Sequence, residues 1–336
     1  MQKKVSLTGI KPTGIPHIGN YFGAIRPALE LSKEYEARYF IADYHALNSV
    51  KDPHLLKEMV YEVAATWLAS GLDPEKVLFY RQSDVPETFD LAMILMAFTP
   101  KGLMNRAHAY KSAVQENEQA GKDPDDGINM GLYTYPVLMA ADILLFDTNV
   151  VPVGKDQKQH VEMAADIAQS LNRTVGKNLL VIPEAKISES TQTVVGLDGR
   201  KMSKSYNNTI SLFLPSKKLH KTLMKIVTNS QGVEEPKDPE TSHIFTLYKL
   251  FATPEQQKKL AQRYRAGGMG WGEAKQELFE VMDTYLAPMR EKYYAIIDDK
   301  EHIDKILKEG AEKARQVAAH TLGRVRKAIG VNPLYR

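Results

Sequence analysis

The apolar positions of the first 80 residues follow two spacings that alternate along the chain. The alternating residues 5–8 and the largely apolar runs at 38–42 and 77–80 are typical of strands, whereas residues 18–32 and 53–70 carry apolar side chains at helical spacing. Strands that alternate with helices in this way are joined by right-handed crossovers into a parallel sheet. The pattern therefore predicts an α/β fold.

The same order of elements returns further along the chain. Residues 150–153 form an apolar run, Gly154 marks a turn, and helical spacing then continues to residue 171. Two such halves predict a doubly wound, Rossmann-like parallel sheet with a ligand crevice between them. We expect this catalytic domain to span residues 1–210, with a connecting insertion at 84–135 that contains a mobile, turn-rich loop at 111–127.

Residues 211–336 show only helical spacing, which predicts an all-helical second domain ending in two helices, at 301–307 and 309–329. This part carries 22 Lys and Arg against 16 Asp and Glu, while residues 1–210 carry 22 against 25. A basic second half favours a polyanionic partner, although a solvated basic helix explains the charge about equally well.

Composition narrows the class of protein further. The chain has no cysteine, which excludes disulfides, thiolate metal sites and cysteine nucleophiles. The first residues lack an apolar signal core, and no apolar run is long enough to cross a membrane. We expect a cytoplasmic protein without a membrane partner.

The first candidate site is the loop after the first strand, which contains Gly9, Pro12, Gly14 and Pro16. Such a loop packs no core, so its residues favour backbone brought close to an anion at a helix N-terminus. An ordinary turn of an α/β protein is the alternative. The sequence contains neither G-x-x-x-x-G-K-[ST] nor G-x-G-x-x-G, so a nucleotide would not bind here in the P-loop or dinucleotide manner.

A second candidate is Asp142, the single carboxylate in the apolar run 136–146, which Pro136 opens as the first helical residue. A buried charge requires a donor. The donor is either a protein group such as an arginine or the N–H of a ligand, with Met139 one helical turn earlier on the same face. His45, just past a strand, is either a crevice contact or a histidine bonded to backbone.

Further candidates lie at the second turn and at a cationic loop. Gly154, Asp156 and Gln157 would face the crevice, although Asp156 could equally cap a helix. Residues 198–205 carry Lys201 and Lys204 in a short loop. Alone such a loop is usually only solvated, but with the first loop it favours a phosphate.

Four sequence blocks give a specific resemblance to a known family. They are the G-x-K-P-T-G-x-x-H-I-G-N-Y run at 9–21, YPVLMAADILL at 135–145, VPVGKDQKQH at 151–160 and KMSKS at 201–205. In this order they resemble the paired signatures of the class I aminoacyl-tRNA synthetases. The third block resembles the tryptophan and tyrosine branch, and the second resembles its bacterial, tryptophan-specific members.

The resemblance implies a role for individual residues, named here by their numbers in this sequence. The implied catalytic residues are Lys201, Lys204, His17 and Asn20. The implied ATP-binding residues are Lys11, Pro12, Thr13, Gly19, Asn20, Gly154, Lys155, Asp156, Val194, Lys201, Met202, Ser203, Lys204 and Ser205. The implied tryptophan-binding residues are Asp142, Met139, Tyr135, His45, Gln157, Gly9, Val151 and Val153. Asp142 would accept the indole N–H, which can only donate.

The resemblance also implies the reaction and its partners. L-Tryptophan would react with ATP to give tryptophanyl-adenylate and pyrophosphate, and tryptophan would pass to the 3′-terminal adenosine of tRNA(Trp). Mg²⁺ would arrive with ATP and no protein side chain would ligate it. Residues 211–336 would bind the anticodon stem, and the chain would form a homodimer through the 84–135 region.

Three positions depart from the usual family pattern. Lys11 and Tyr44 stand where glutamine is usual, and Lys155 replaces an acid. The two lysines add positive charge beside the triphosphate and would alter the Mg²⁺ dependence. Two other classes of protein stay open: a related nucleotidyltransferase that uses no tRNA, and a catalytically idle RNA-binding relative. The basic helical half and the intact lysines argue against them.

Overall fold

A five-stranded parallel sheet is the centre of the molecule. The computed structural model describes residues 3–154, 157–187 and 194–332. The strands lie in the order β3-β2-β1-β4-β5. Their bounds are β1 (Val5–Ile10), β2 (Glu36–Ile41), β3 (Leu78–Arg81), β4 (Val150–Val153) and β5 (Glu184–Ile187). The predicted α/β, doubly wound sheet is confirmed, and β5 is a short edge strand that the sequence pattern did not predict.

The two predicted halves meet between β1 and β4. β1 pairs with β2 along its length, from Val5 opposite Glu36 to Ile10 opposite Ile41, and with β4 at Ser6 opposite Val150. The chain runs outward in both directions from this pair, so the loops after β1 and β4 diverge and leave a crevice at the carboxyl ends of the strands.

Helices cover the sheet and form most of the second half of the chain. Those of the first half are α1 (Ile18–Asn20), a π-helical turn (Tyr21–Ile25), α2 (Arg26–Leu31), α3 (Asp43–Ala46), α4 (Pro53–Ala69), α5 (Glu87–Ala97), α6 (Lys101–Met104), α7 (His108–Gln119), α8 (Met130–Leu144) and α9 (Lys158–Val175). Those of the second half are α10 (Ser216–Leu223), α11 (His243–Phe251), α12 (Pro254–Ala266), α13 (Trp271–Ile297) and α14 (Lys300–Ile329). Gln82–Asp84 and Lys204–Tyr206 form short 3₁₀ turns.

The helix that carries Asp142 begins earlier than its proline predicts. α8 starts at Met130, where the Asn129 side chain accepts a hydrogen bond from the backbone N–H of Leu132. Pro136 therefore lies inside the helix and not at its first position, and that prediction is wrong. Pro136, Val137, Ala140 and Ala141 are buried, so tertiary packing stabilises the helix in spite of the missing backbone N–H.

The predicted loop at 111–127 is a loop only in its second part. α7 extends to Gln119, so the prediction of a loop is wrong for its first part, and none of the residues of this helix is buried. Good helix formers such as Ala, Gln, Glu and Lys dominate this segment. The Tyr110 ring packs edge-on against Tyr133 of α8 at 4.9 Å, which fixes the helix to its neighbour.

A single long helix replaces the two predicted at the end of the second half. α14 runs from Lys300 to Ile329 without a break at residue 308, so the prediction of two helices is wrong. Gly310 packs directly on the backbone of β3, and a Cβ at this position would overlap the carbonyl oxygen of Phe79. The close approach explains why a residue with low helix propensity lies inside a helix.

The buried apolar residues form two large clusters that join both halves of the chain. One contains Trp67 and Phe79 together with α11 and α13, and the other contains Phe146 and α8 together with Ala314 and Leu322 of α14. Within the three described ranges, no helix combines the length and the apolar character needed to cross a membrane.

Candidate active site

A cavity of about 250 Å³ opens between the carboxyl ends of β1 and β4. Its wall includes every residue that the sequence assigned to the amino acid substrate: Gly9, His45, Tyr135, Met139, Asp142, Val151, Val153 and Gln157. Leu7, Phe40 and Ile143 add further apolar surface, and Lys11 lies at the same cavity. An apolar wall with a few polar groups is typical of a small-molecule site.

Asp142 is the buried anion of this cavity, with 2% of its surface exposed. One carboxylate oxygen lies 2.9 Å from His45 Nε2, and Gln82 Nε2 donates to both oxygens at 2.9 and 3.0 Å. Burial raises the pKa of Asp142 above its ordinary value, and the hydrogen bonds from His45 and Gln82 oppose that increase.

These contacts decide between the two sequence interpretations of Asp142. The carboxylate does have protein partners, but they are an imidazole and an amide and not an arginine. Asp142 nevertheless borders the cavity, so it also presents acceptor capacity to a ligand. His45 is therefore bonded to a side chain and not to backbone, and its buried Nδ1 has no hydrogen-bond partner among the described residues.

The polar side of the cavity is a connected group of side chains on α8 and α9. The Tyr135 hydroxyl lies 2.8 Å from His160 Nδ1, which in turn lies 3.0 Å from Gln157 Oε1. The His45 ring packs edge-on against Tyr135 at 5.5 Å. This group connects the two halves of the fold at the cavity and presents donors and acceptors suited to amino and carboxylate groups.

The loop after β1 lies against the loop at residues 198–205, which carries Lys201 and Lys204 and is named the lysine loop. The Lys204 ammonium donates to the Thr13 carbonyl at 3.3 Å. Gly14 has φ +129°, and a Cβ there would lie 2.7 Å from Lys204 Nζ, so glycine meets both the backbone conformation and the contact. Partial burial lowers the pKa of Lys204.

His17 directly precedes α1, and backbone contacts with α1 and with the segment at Ser211 hold it in place. Its N–H donates to Asn20 Oδ1 at 3.0 Å, and a short antiparallel bridge joins His17 to Ser211. Burial, with a smaller contribution from the positive charge of Lys204, lowers the pKa of His17 to about 4. His17 is therefore neutral near pH 7, and it lies close enough to Lys204 for the ammonium charge to contribute to its pKa.

The lysine loop is held by a residue that the motifs did not single out. Asn208 is buried, accepts from the Ser203 N–H at 2.8 Å, and donates to the Lys201 carbonyl at 3.1 Å and to Asp198 at 2.6 Å. Met202 and Val194 are buried beneath the loop and are joined by a backbone hydrogen bond of 2.8 Å. Lys201 and Ser205 are exposed at its surface.

The structure leaves some predicted residues without a test. Lys155 and Asp156 lie outside the described residues. Gly154 follows β4 at the crevice, Pro12 is buried in the first loop, and Gly19 packs against the His17 ring near Met202. Sequence reasoning missed Gln82 and Asn208. Gln82 directly follows β3, and the rule that selected His45 after β2 would have found it.

Comparison with known proteins defines the class. The family model of class I tRNA synthetases (W and Y) matches residues 2–287. The chain belongs to this family.

Individual relatives within this family are similar to the chain over most of its length. The chain is 52% identical to the tryptophan–tRNA ligase of Pseudomonas aeruginosa over 98% of this chain and 74% of that protein. It is 51% identical to the tryptophan–tRNA ligase of Neisseria meningitidis over 99% of this chain and 100% of that protein. The crystal structure of Campylobacter jejuni tryptophanyl-tRNA synthetase complexed with ADP and tryptophan is similar with a TM-score of 0.90, 46% identity, and coverage of 97% of this chain and 99% of that one.

Proposed function

We propose that this chain is a tryptophan–tRNA ligase, which activates L-tryptophan with ATP to tryptophanyl-adenylate, releases pyrophosphate, and transfers tryptophan to the 3′-terminal adenosine of tRNA(Trp). The relatives from P. aeruginosa and N. meningitidis carry this name, and the C. jejuni structure holds ADP and tryptophan. The observation that carries the proposal is the buried carboxylate of Asp142 at an apolar cavity whose wall includes Lys11, in the same loop whose Thr13 carbonyl accepts from Lys204.

Selection of tryptophan rests on Asp142. The indole nitrogen is a donor without acceptor capacity, so a fixed carboxylate is its complement. Met139, Val151 and Val153 would contact the ring, since they form the apolar wall around the carboxylate. Tyr135, His45 and Gln157 would hold the amino and carboxylate groups of the substrate.

Activation would need positioning more than proton transfer. The tryptophan carboxylate is already an anion, so it attacks the α-phosphorus of ATP without a general base, and pyrophosphate leaves as the phosphorus–oxygen bond breaks. Lys204 and Lys201 would neutralise the charge that develops on the leaving group. His17 and Asn20 would place the first loop against the phosphates, with Thr13, Gly19, Gly154 and residues 202–205 around them.

Mg²⁺ is proposed as a companion of ATP. The phosphates would hold the ion, and among the residues that the structure describes, no group of three or more His, Asp or Glu side chains could hold a metal ion. Lys11 lies at the amino acid cavity, where its ammonium adds positive charge close to the reacting groups.

Three broader predictions join the proposal. Residues 1–210 would form the catalytic domain and 211–336 the anticodon-binding domain, supported by the basic charge of the second part. A homodimer would form through the 84–135 region, where Met93 and Met130 are 69% and 68% exposed. The enzyme would work in the cytoplasm.

The test is exchange of radiolabelled pyrophosphate into ATP, with tryptophan and with tyrosine as the amino acid. We expect exchange with tryptophan alone, and Asp142→Asn is expected to raise the KM for tryptophan about 10- to 100-fold while the KM for ATP changes little. Exchange with neither amino acid would favour an idle RNA-binding relative. Exchange with tyrosine alone would contradict the role of Asp142.

A further inference from the structure

Gln82 lies behind Asp142, on the side away from the cavity. It begins the 3₁₀ turn after β3, is fully buried, and is not part of the cavity wall. Its side-chain carbonyl accepts a hydrogen bond from the Tyr44 N–H at 3.2 Å. Because the carbonyl end is committed to a donor, the amino end of the same amide must face the carboxylate of Asp142.

That orientation determines what Gln82 does to Asp142. Its Nε2 lies 2.9 Å from one carboxylate oxygen and 3.0 Å from the other, while His45 Nε2 lies 2.9 Å from the second. A carboxylate held by two donors from two different segments, α3 and the 3₁₀ turn after β3, cannot rotate freely about its side-chain torsion. Gln82 supplies the donor that touches both oxygens, so it fixes the plane of the acceptor.

We infer that Gln82 is a positioning residue for amino acid selection: it holds Asp142 so that the carboxylate accepts the indole N–H, and it thereby excludes aromatic side chains that bring no N–H donor. This inference rests on the proposed function. Its physical basis is that a site built to bond a donor leaves a buried polar group unpaired when an analogue lacks that donor.

The experiment compares two substrates in the wild-type chain and in one variant. L-Tryptophan and its benzothiophene analogue, in which sulfur replaces the indole N–H, are assayed by pyrophosphate exchange with the wild-type chain and with Q82M. Methionine keeps the length and apolar volume of glutamine but donates no hydrogen bond. We expect Q82M to lower kcat/KM for tryptophan about 10- to 100-fold, mainly through KM, and to change kcat/KM for the analogue less than about threefold.

A merely structural role of Gln82 gives a different result. If a folded Q82M variant leaves the ratio of kcat/KM for tryptophan to kcat/KM for the analogue unchanged, whether both values fall equally or neither falls, the inference is overturned. Where Q82M fails to fold, Q82N serves instead, because its amide is one methylene shorter and withdraws from Asp142. The ratio of the two kcat/KM values is again the readout.

The variant D142L, whose side chain is of similar size but has no hydrogen-bond acceptor, separates this inference from the proposed function. If D142L keeps the full preference for tryptophan over the analogue, selection by Asp142 is wrong and the role of Gln82 falls with it. If D142L loses the preference while Q82M retains it, only the role of Gln82 is overturned. Loss of the preference in both variants supports both statements.

Discussion

Replacement of Asn208 by alanine tests whether the lysine loop is held in place for catalysis. The side chain accepts from the Ser203 N–H at 2.8 Å and donates to the Lys201 carbonyl at 3.1 Å, so it joins both sides of Met202. At about 1 kcal/mol net for each of these backbone bonds, their loss weakens the observed loop arrangement by about 2 kcal/mol, which lowers the ratio of this arrangement to displaced ones about 30-fold.

The expected result follows from where the loop lies. Lys204 contacts the first loop at Thr13, whereas the cavity that contains Asp142 is lined by no residue of the lysine loop. We therefore expect N208A to lower the rate of tryptophan-dependent pyrophosphate exchange about 30-fold while the KM for tryptophan stays within about twofold. An unchanged rate, or a KM for tryptophan that rises as much as the rate falls, would refute the reasoning.

Asn172 provides a matched control for this variant. It is also buried and makes three hydrogen bonds, donating to the Leu180 carbonyl at 2.8 Å and accepting from the N–H groups of Leu179 and Leu180 at 2.9 Å. Because these contacts lie at the end of α9 and not in the lysine loop, N172A is expected to lower stability in urea unfolding without a comparable loss of exchange rate. Equal kinetic losses in the two variants would indicate a general effect of removing a buried amide.

Three further predictions concern single positions. Lys204→Ala is expected to slow pyrophosphate exchange on the order of 10²- to 10³-fold with tryptophan binding preserved, measured by exchange and by calorimetric titration; an unchanged rate would remove the proposed role. The His17 pKa of about 4 lies below its ordinary 6.5, so the unfolded state takes up a proton first and stability falls as the pH drops from about 6.5 towards 4. H17N should lose this part of the acid sensitivity in urea unfolding, and an identical pH dependence would contradict the assignment. Gly310→Ala should lower the free energy of unfolding by about 1–3 kcal/mol, whereas G323A in the same helix, where nothing lies within 4 Å, should not.

The sequence predicted the cavity well because two rules apply there together. The motifs name the residues, and the parallel-sheet rule brings the residues after β1, β2 and β4 to one edge of the sheet. All eight residues assigned to the amino acid lie at the cavity, although their roles stay predictions.

What the sequence did not predict depends on contacts between distant segments. Gln82 and Asp142 are 60 positions apart, and local spacing contains no information about their hydrogen bond. Pro136 and Gly310 are residues with low helix propensity that tertiary packing keeps inside helices. A local pattern interprets such residues as helix boundaries because it does not include the surfaces they pack against.

The packing of α14 on β3 has a consequence for the order in which parts of the chain can fold during synthesis. β3 is an edge of the sheet and is complete by residue 81, yet the glycine that contacts its backbone lies at residue 310. During synthesis the ribosome must add more than two hundred residues after β3 before the part of α14 that packs on β3 has been made. Until then the exposed edge is open to pairing with other strands. A chaperone that shields the nascent edge would therefore raise the yield of the folded enzyme.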